Sequence, residues 1–343
     1  MANLSRGRLF GFALTIVFLA LAFYRVDFGA LAAQLSSANY VYLAPAALTW
    51  LVGYLLRTAR WRVILAVDRP IALPALFSVL MIGFTANNLL PARLGELVRA
   101  YLLGQKLGVR KTFALSTILL ERVFDGLVLV ALLGALARAV ELPQWGSDLE
   151  LLSNVVFLAA GLGVALLVFG QRLAERALAL ALQPLPSRIG RWTQEAFAAF
   201  VLGLRSVRRP HLLALTSLLS VAVWSVECFS YFLVSHAFAL PLDGGTRLAA
   251  MGLLLVIVNL GIMLPSAPGY VGTFQFFAVA ALGVFGVPKE PALALALVAH
   301  GTQYALVTAI GLLLLAREQL SLGSLGRTSL DESAVPERAE VAS

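Results

Sequence analysis

Cysteine and histidine are scarce in this sequence. Its 343 residues include one cysteine, Cys228, inside an apolar segment, and three histidines that are far apart in the chain. One cysteine cannot form an intramolecular disulfide, and isolated histidines do not provide the ligand spacing of a zinc site. The sequence therefore predicts no disulfide framework, no metal site and no bound cofactor.

Charged residues are also few. They make up 13% of the sequence, whereas apolar residues make up 60% and the mean hydropathy is +0.89. A soluble domain has roughly 25% charged residues, so this composition excludes an ordinary water-soluble globule. The net charge of +8 comes from basic residues in short connectors between apolar segments. A nucleic-acid partner is not expected, because nucleic-acid binding needs a contiguous basic patch.

Long apolar segments predict membrane-crossing helices, because a bilayer core about 30 Å thick needs roughly 20 apolar residues per helix. The predicted fold is all-α, a polytopic transmembrane helical bundle with about eight membrane segments plus one or two re-entrant or broken helical hairpins. This domain covers residues 1–319, and a disordered cytoplasmic tail is predicted at 320–343. The candidate hydrophobic segments are residues 9–24, 40–56, 71–90, 112–138, 150–170, 211–240, 248–264, 270–287 and 291–316.

The positions of basic residues predict how the chain lies in the membrane. Basic clusters flank segment 71–90 on both sides, although the two ends of a membrane span face opposite compartments. Because basic residues favour the cytoplasmic side, we expect this segment to enter from the cytoplasm, turn back near Asn88 and return as 94–108. With this re-entrant hairpin, both termini are predicted to be cytoplasmic, in a bacterial inner membrane.

A second break separates segments 248–264 and 270–287, and two arrangements are compatible with the charges. The two segments are either two short spans or a second hairpin that enters from outside. Interrupted segments in corresponding positions of two halves indicate an inverted-repeat transporter with its binding site at the breaks. The residues predicted to form this second break are Pro265, Pro268, Gly269 and Gly272.

The longest polar connector, residues 171–210, is rich in arginine. Its second half has apolar residues at helical spacing, which is typical of an amphipathic helix. We expect a cytoplasmic amphipathic connector that lies against anionic headgroups.

Glu121, Arg122 and Asp125 form a charged cluster near the middle of segment 112–138. Arg122 precedes Asp125 by three residues, so the two side chains can pair on one helix. Other cations must balance the second carboxylate, and Arg93 and Arg99 of the hairpin are the nearest candidates. The cluster is either part of a buried cavity that receives a lipid headgroup, where arginine suits phosphate, or an ion network that only fixes the bundle.

The hairpin break has a structural explanation and a functional one. Pro91 interrupts the backbone hydrogen bonds, and Asn88 with its neighbour Asn87 can cap the two half-helices. A half-helix that starts near Gly95 would direct its N-terminal amides toward the membrane interior, where they attract anions. Glu96 is expected to cap this helix or to pair with one of the hairpin arginines.

Polar residues in two later segments are weaker candidates for a functional site. Glu227 is either a proton-coupling carboxylate or a protonated partner in an interhelical hydrogen bond. His300, Gln303 and Tyr304 fall on one face of the last segment, and interhelical hydrogen bonding is favoured over substrate contact for them.

Three ordered motifs resemble the lysylphosphatidylglycerol synthase transmembrane-region family, also called flippase-like membrane proteins. They are NLLPARLGELVR at 88–99, ERVFD at 121–125 and LPSAPGYVG at 264–272. The resemblance covers roughly residues 9–316 and implies a multi-helical bundle that moves or presents modified anionic phospholipids or other lipid-linked groups. It implies a stand-alone member, because the aminoacyl-transferase domain of the bifunctional synthases has no counterpart here. Many members have a glutamate where this sequence has Gln275.

The leading hypothesis is a flippase-like or scramblase-like protein that binds an anionic phospholipid headgroup. In it Arg93, Arg99 and Arg122 hold the anion, and Glu121 and Asp125 orient them. Glu96 and Asn88 complete the candidate site.

Two alternatives remain: a membrane-embedded transferase acting on lipid-linked sugars, and an accessory scaffold for an envelope-lipid synthase. The expected partners are membrane lipids and, under the scaffold hypothesis, a lipid- or glycan-modifying enzyme. No catalytic constellation is recognised, so an enzyme is not expected.

Overall fold

The computed structural model describes residues 2–66, 68, 70–90, 94–141, 143–170, 208–263 and 268–321, together with single positions between 171 and 207. The described residues contain helices and no strands, which confirms the all-α class. Their α-helices are α1 (Ala2–Phe23), α2 (Phe28–Ser37), α3 (Leu43–Leu65), α4 (Leu73–Leu89), α5 (Gly95–Leu107), α6 (Lys111–Ala139), α7 (Gln144–Phe169), α8 (Pro210–Ser235), α9 (Gly244–Gly261), α10 (Thr273–Gly283) and α11 (Lys289–Arg317).

Local sequence signals fix several helix starts. The Asp27 carboxylate accepts a hydrogen bond from the Gly29 amide at 2.8 Å at the start of α2. Asp243 caps α9 in the same way, through the Thr246 amide at 2.8 Å. Such caps satisfy amides that have no partner within the helix. Helix α8 begins with Pro210, a residue that is tolerated in the first turn.

Helices α3, α4, α8 and α11 pack against one another. Helices α3 and α8 are antiparallel, because Thr49 contacts Ser230 at one end and Arg60 contacts Ser220 at the other. Helices α4 and α11 are also antiparallel and approach closely where Gly311 lies against Thr85. Small residues permit such close approach in membrane proteins.

Helices α4 and α5 form a closely packed antiparallel hairpin. The Asn87 side-chain oxygen accepts a hydrogen bond from the Gly95 amide at 2.8 Å, so the end of α4 caps the start of α5. Gly83, one turn earlier, lies against the Arg99 side chain. The two helices have 17 and 13 residues, so they are about 25 Å and 20 Å long. This geometry agrees with the predicted hairpin, whereas its position relative to a membrane stays a prediction.

The second break also connects two helices that pack together, since Gly261 of α9 lies against the Phe277 ring of α10. Helix α9 has 18 residues and is apolar enough to cross a membrane. Helix α10 has 11 residues and is about 16 Å long, which is too short for a crossing of its own.

Three helices of the described chain, α8, α9 and α11, are long and apolar enough to cross a membrane. A fourth crossing is possible if residues 13–23 and 28–37, which are bent by 85°, form one broken span. The predicted number of about eight segments is therefore not confirmed. Helices α3 and α6 have 23 and 29 residues, but both contain charged side chains in the bundle interior.

Most of the predicted connector 171–210 and almost all of the predicted tail 320–343 lie outside the described residues. The predictions for these two segments stay predictions.

The hairpin predicts the labelling of two exposed positions. Ala72 precedes α4 and Gln105 lies near the end of α5, so both belong to the same end of the hairpin. Cysteines placed at these positions in a Cys228→Ala background are expected to react with an impermeant maleimide from the same side of the membrane. Reaction from opposite sides would contradict a non-spanning hairpin.

Candidate functional site

A cavity of about 470 Å³ lies between the two helix breaks. Asn87 and Asn88 line it from the end of α4, and Asn259 and Met263 line it from the end of α9 and the residues that follow. Its wall combines charged, amide and aromatic side chains. The other polar and aromatic residues that line it are Tyr54, Arg57, Phe84, Glu96, Arg122, Asp125, Phe157, Trp224, Glu227, Tyr231, Tyr270, Phe274, His300, Gln303 and Tyr304.

Arg60 joins helices α3 and α6 behind one wall of this cavity. Its Nη1 atom lies 2.5 Å from Asp125 Oδ1, and its Nη2 atom lies 3.6 Å from Glu121 Oε1. Nη1 also donates to Ser220 Oγ of α8 at 2.9 Å. The residue is only 1% exposed. Such a buried guanidinium is stabilised by the two carboxylates, and they in turn depend on it.

Arg99 forms the equivalent contact from α5. Its Nη2 atom donates to Glu121 Oε2 at 2.6 Å, and its guanidinium lies over the Trp61 ring at 4.0 Å. Arg99 and Glu121 are both 2% exposed and do not belong to the cavity lining. The pair therefore fixes the hairpin to α6 from behind the cavity.

Arg57 and Glu227 form a second ion pair that does line the cavity. The Arg57 Nη2 atom donates to Glu227 Oε2 at 3.3 Å, and Nη1 lies 4.0 Å from Asp125 Oδ2. Gln303 of α11 donates to Glu227 Oε1 at 2.7 Å. The Arg57 guanidinium also lies over the Trp224 ring at 4.8 Å, an arrangement that favours a cation.

Arg122 follows Glu121 in α6 but, unlike Glu121, lines the cavity. Its Nε atom lies 3.3 Å from Glu96 Oε1, and its Nη1 atom lies 3.6 Å from Asp125 Oδ2. The Arg122 and Glu96 side chains are each 41% exposed, unlike the deeply buried members of the network. Asp125 Oδ2 has no hydrogen-bond partner although it lies near two guanidinium groups. The Arg122 and Glu96 side chains therefore line the cavity and are half-exposed, although the Arg122 Nε atom and Asp125 Oδ2 are themselves buried.

The network is balanced in charge within the part of the chain that the structure describes. Each arginine faces at least one carboxylate, and no helix supplies the whole set. Opposite charges that pair in this way reduce the large penalty of burying an isolated ion. The four arginines are Arg57, Arg60, Arg99 and Arg122, and the four carboxylates are Glu96, Glu121, Asp125 and Glu227.

The two breaks meet at Tyr304. Its hydroxyl donates to the Asn88 carbonyl oxygen at 3.3 Å, and its ring lies against Gly269. Gly269 has φ of +69°, which suits glycine, and a Cβ at this position would lie 2.6 Å from Tyr304 Cε2. Asn88 also donates to Thr308 Oγ1 at 3.0 Å. Asn88 is therefore held by α11 at the edge of the cavity.

The polar face of α11 forms the interhelical hydrogen bonds that its sequence predicts. His300 Nδ1 lies 3.0 Å from Gln275 Nε2, and Gln303 contacts Glu227 and the Tyr54 hydroxyl. Gln275 also accepts from the Gly272 amide at 2.7 Å and so caps α10. The helix provides both bundle contacts and a cavity wall.

The structure brings most of the predicted site residues together. Arg122, Asp125, Glu96 and Asn88 line the cavity, as does Glu227, whereas the predicted site residues Arg99 and Glu121 lie behind it. The pairing of Arg122 with Asp125 is present. Glu96 contacts Arg122, whereas Arg93, one of its two predicted partners, lies outside the described residues. Three predicted residues lie outside the described chain, namely Arg93, Pro91 and Pro265.

Sequence reasoning missed Arg57 and Arg60. Their charges were assigned to a connector, because segment 40–56 ends where the apolar residues end. The structure corrects this interpretation: α3 continues to Leu65, and both arginines are buried. A signal was available, since residues three apart share a helix face and apolar residues continue on both sides of them.

Comparisons with known proteins agree with the resemblance found in the sequence. A family model described as the lysylphosphatidylglycerol synthase TM region matches residues 8–311. The chain is 27% identical over 354 residues to the glycosyltransferase AglD of Haloferax volcanii, an alignment that covers 94% of this chain and 56% of AglD. This chain therefore spans little more than half the length of AglD.

Two relatives in Methanothermobacter thermautotrophicus have about the length of this chain. Both are named UPF0104 membrane protein. One is 28% identical over 318 residues, covering 90% of this chain and 92% of the relative. The other is 23% identical over 313 residues, covering 86% of this chain and 91% of the relative.

Proposed function

The chain belongs to the lysylphosphatidylglycerol synthase TM-region family of integral membrane proteins, and we propose that it binds the headgroup of an anionic lipid in the cavity between the two breaks. We further propose that it moves this headgroup across the membrane while the acyl chains stay in the bilayer. The lipid is either a phospholipid or another lipid-linked group with a phosphate. The bacterial inner membrane and the cytoplasmic positions of both termini are part of this proposal.

One observation carries the proposal: two arginines line a cavity that lies between two interrupted helical elements. Arg57 and Arg122 approach Asp125 from different helices and line the same space. A guanidinium can bind a phosphate through two parallel hydrogen bonds, so two of them suit one phosphodiester. Interrupted helices are typical of transporter sites near the middle of the membrane.

The arginines have separate roles in this proposal. Arg122 and Arg57 contact the headgroup, whereas Arg99 and Arg60 position Glu121 and Asp125 from behind the cavity wall. Glu121 is a positioning residue for the same reason. Asn88 contributes an amide at the cavity edge, and a contact from Arg93 is part of the proposal as well.

Arg122→Gln is expected to reduce lipid movement at least about tenfold, because it removes the most accessible guanidinium and its charge. The measurement is the rate at which fluorescent phosphatidylglycerol changes leaflet in proteoliposomes, read by dithionite quenching. Folding is checked by size-exclusion chromatography and by thermal unfolding.

Arg138→Gln is the matched control. Arg138 lies on the same helix, is exposed and hydrogen-bonds only to the Gly134 carbonyl of its own helix among the contacts described. This variant is expected to move lipid at the rate of the wild type. A wild-type rate equal to that of empty liposomes would contradict the translocation proposal.

A transferase acting on lipid-linked sugars is the second candidate function. The name of AglD favours it, since that relative is named a glycosyltransferase. The cavity carboxylates, Glu96, Asp125 and Glu227, would be the acid and base groups available for such a reaction. Incubation of the purified protein with a polyprenyl-phosphate sugar and an acceptor tests this function, with transfer detected by mass spectrometry.

The scaffold alternative is tested by a different experiment. Crosslinking in native membranes followed by mass spectrometry would detect a lipid- or glycan-modifying enzyme bound to this chain.

The proposed proton-coupling role of Glu227 is tested in proteoliposomes, where an imposed proton gradient would accelerate lipid movement by the wild type and not by Glu227→Gln.

A further inference from the structure

The pair formed by Glu96 and Arg122 differs from the rest of the charged network. Its two side chains are each 41% exposed, whereas the side chains of Arg60, Asp125 and Glu121 are at most 5% exposed. The contact is a single approach at 3.3 Å from the Arg122 Nε atom to Glu96 Oε1. Among the described residues the Arg122 Nε atom has no hydrogen-bond partner, so this contact is weaker than those of Arg60 and Arg99, at 2.5 Å and 2.6 Å.

Glu96 contacts Arg122 in the lining of the cavity. Both residues line it, while the other end of the same guanidinium is directed at Asp125 Oδ2. A carboxylate and a phosphate oxygen bind a guanidinium in the same geometry, so they compete for the same donors. Glu96 therefore fills a place that an oxyanion can take.

The charge balance also requires that one carboxylate move away from its guanidinium partner when an anion binds. In the described chain the network is neutral, and an additional anion would leave an excess negative charge in a low-dielectric interior. Asp125, Glu121 and Glu227 each have at least one buried guanidinium partner. Glu96 has its guanidinium partner at the accessible edge, so it can move into the cavity opening at the lowest energetic penalty.

The backbone next to Glu96 is fixed, so this movement needs only a side-chain rotation. The Gly95 amide donates to Asn87 Oδ1 at 2.8 Å, and Gly95 lies in close contact with the Gly83 carbonyl. Helix α5 can therefore stay in place while the Glu96 carboxylate turns away. Long, half-exposed side chains change rotamer within nanoseconds.

We propose that Glu96 is a built-in competitor, a carboxylate that occupies Arg122 in the empty protein and is displaced by the phosphate oxyanion of the ligand. This inference rests on the proposed function, because it concerns the same cavity. It assigns Glu96 a role opposite to that of a ligand contact: the residue weakens binding and thereby allows release. A site that only gained affinity would hold the headgroup and slow its passage.

The test measures binding in an uncharged detergent with two probes, a short-chain fluorescent phosphatidylglycerol and inorganic phosphate. Glu96→Gln is expected to bind at least one probe about tenfold more tightly than the wild type, since the competing charge is gone. The probe that gains affinity tells whether the site takes a lipid headgroup or a soluble phosphate. Arg122→Gln is expected to bind both probes more weakly.

Glu141→Gln is the matched control for the change in net charge. Glu141 is exposed after the end of α6, about 30 Å along the helix from Arg122, and this variant is expected to bind as the wild type does. Glu96→Asp keeps the charge and is expected to stay within about threefold of the wild type. Thermal unfolding of each variant confirms that the fold is intact.

Unchanged or weaker binding by Glu96→Gln, together with a loss of binding in Arg122→Gln, would overturn the competitor role and leave the proposed function intact. Tighter binding by Glu227→Gln in place of Glu96→Gln would also overturn it, because a different carboxylate would then compensate the ligand charge. If the wild type and Glu96→Gln bound neither probe, the proposed function itself would be contradicted.

Discussion

Replacing Arg60 by methionine is expected to lower the free energy of unfolding by about 3 kcal/mol, although methionine fills a similar volume. Arg60 contacts Asp125 at 2.5 Å and Glu121 at 3.6 Å, and its loss leaves these carboxylates with one guanidinium fewer in the bundle interior. Removal of one partner from a buried ion network leaves charge uncompensated, which destabilises more strongly than loss of a surface pair. Unfolding by SDS in mixed micelles, followed by tryptophan fluorescence, provides the measurement.

Arg62→Met is the control on the same helix. Arg62 is exposed, so its replacement is expected to change the unfolding free energy by about 0.5 kcal/mol or less. The double variant Arg60→Met with Asp125→Asn removes one charge of each sign. Its loss of unfolding free energy is expected to be smaller than the sum of the two single losses by about 1 kcal/mol or more. Strict additivity would show that lost packing, and not charge balance, accounts for the Arg60 effect.

In this network, burial and position relative to the cavity separate residues with a structural role from residues with a binding role. Arg60, Arg99 and Glu121 connect α3, α5 and α6 and do not line the cavity, so their loss should appear first as reduced stability. Arg122 and Glu96 line the cavity and are half-exposed, so their replacement should change binding with little change in stability. We therefore expect the two interpretations of the charged cluster that the sequence left open to apply to different members of it.

The sequence predicted most of the helices because most apolar segments are long, but it did not predict α2 and it ended α3 too early. It also predicted the antiparallel return after Asn88, since basic residues on both sides of one segment conflict with a simple span. The pairing within ERVFD followed from helical spacing alone. These predictions depend on neighbours along the chain, and such neighbours are visible in one sequence.

Contacts between distant segments could not be predicted in the same way. Trp224 donates to Asp125 Oδ1 at 3.0 Å, and Arg57 reaches Glu227 across 170 positions of the chain. Nothing in the local pattern of either segment specifies these partners, because they depend on how α3, α6 and α8 are oriented about their axes. Arginine is a good helix former, so α3 continues through Arg57 and Arg60 beyond the end of the apolar segment.

Gly95→Ala is expected to lower the free energy of unfolding by about 3 kcal/mol, because a methyl group has no space at this position. A Cβ on residue 95 would overlap the Gly83 carbonyl oxygen of α4 and lie 2.6 Å from Asn87 Oδ1. The first of these atoms belongs to the backbone and cannot move aside as a flexible side chain can. The hairpin would have to open, and the hydrogen bond from the Gly95 amide to Asn87 would be lost.

Gly301→Ala provides the opposite control, since it places the same methyl group on a helix where nothing lies within 4 Å of the new Cβ. Alanine is the better helix former, so this variant is expected to be as stable as the wild type or more stable by up to about 1 kcal/mol. Both variants are compared by SDS unfolding in the same micelles. Because Arg99 follows Gly95 in the first turns of α5, opening of the hairpin would also displace Arg99 from Glu121 and disturb the carboxylates behind the cavity wall. Gly95→Ala should therefore lose lipid binding together with stability, whereas Gly301→Ala should retain both, and equal stability of the two variants would show that α4 and α5 do not pack as closely as described.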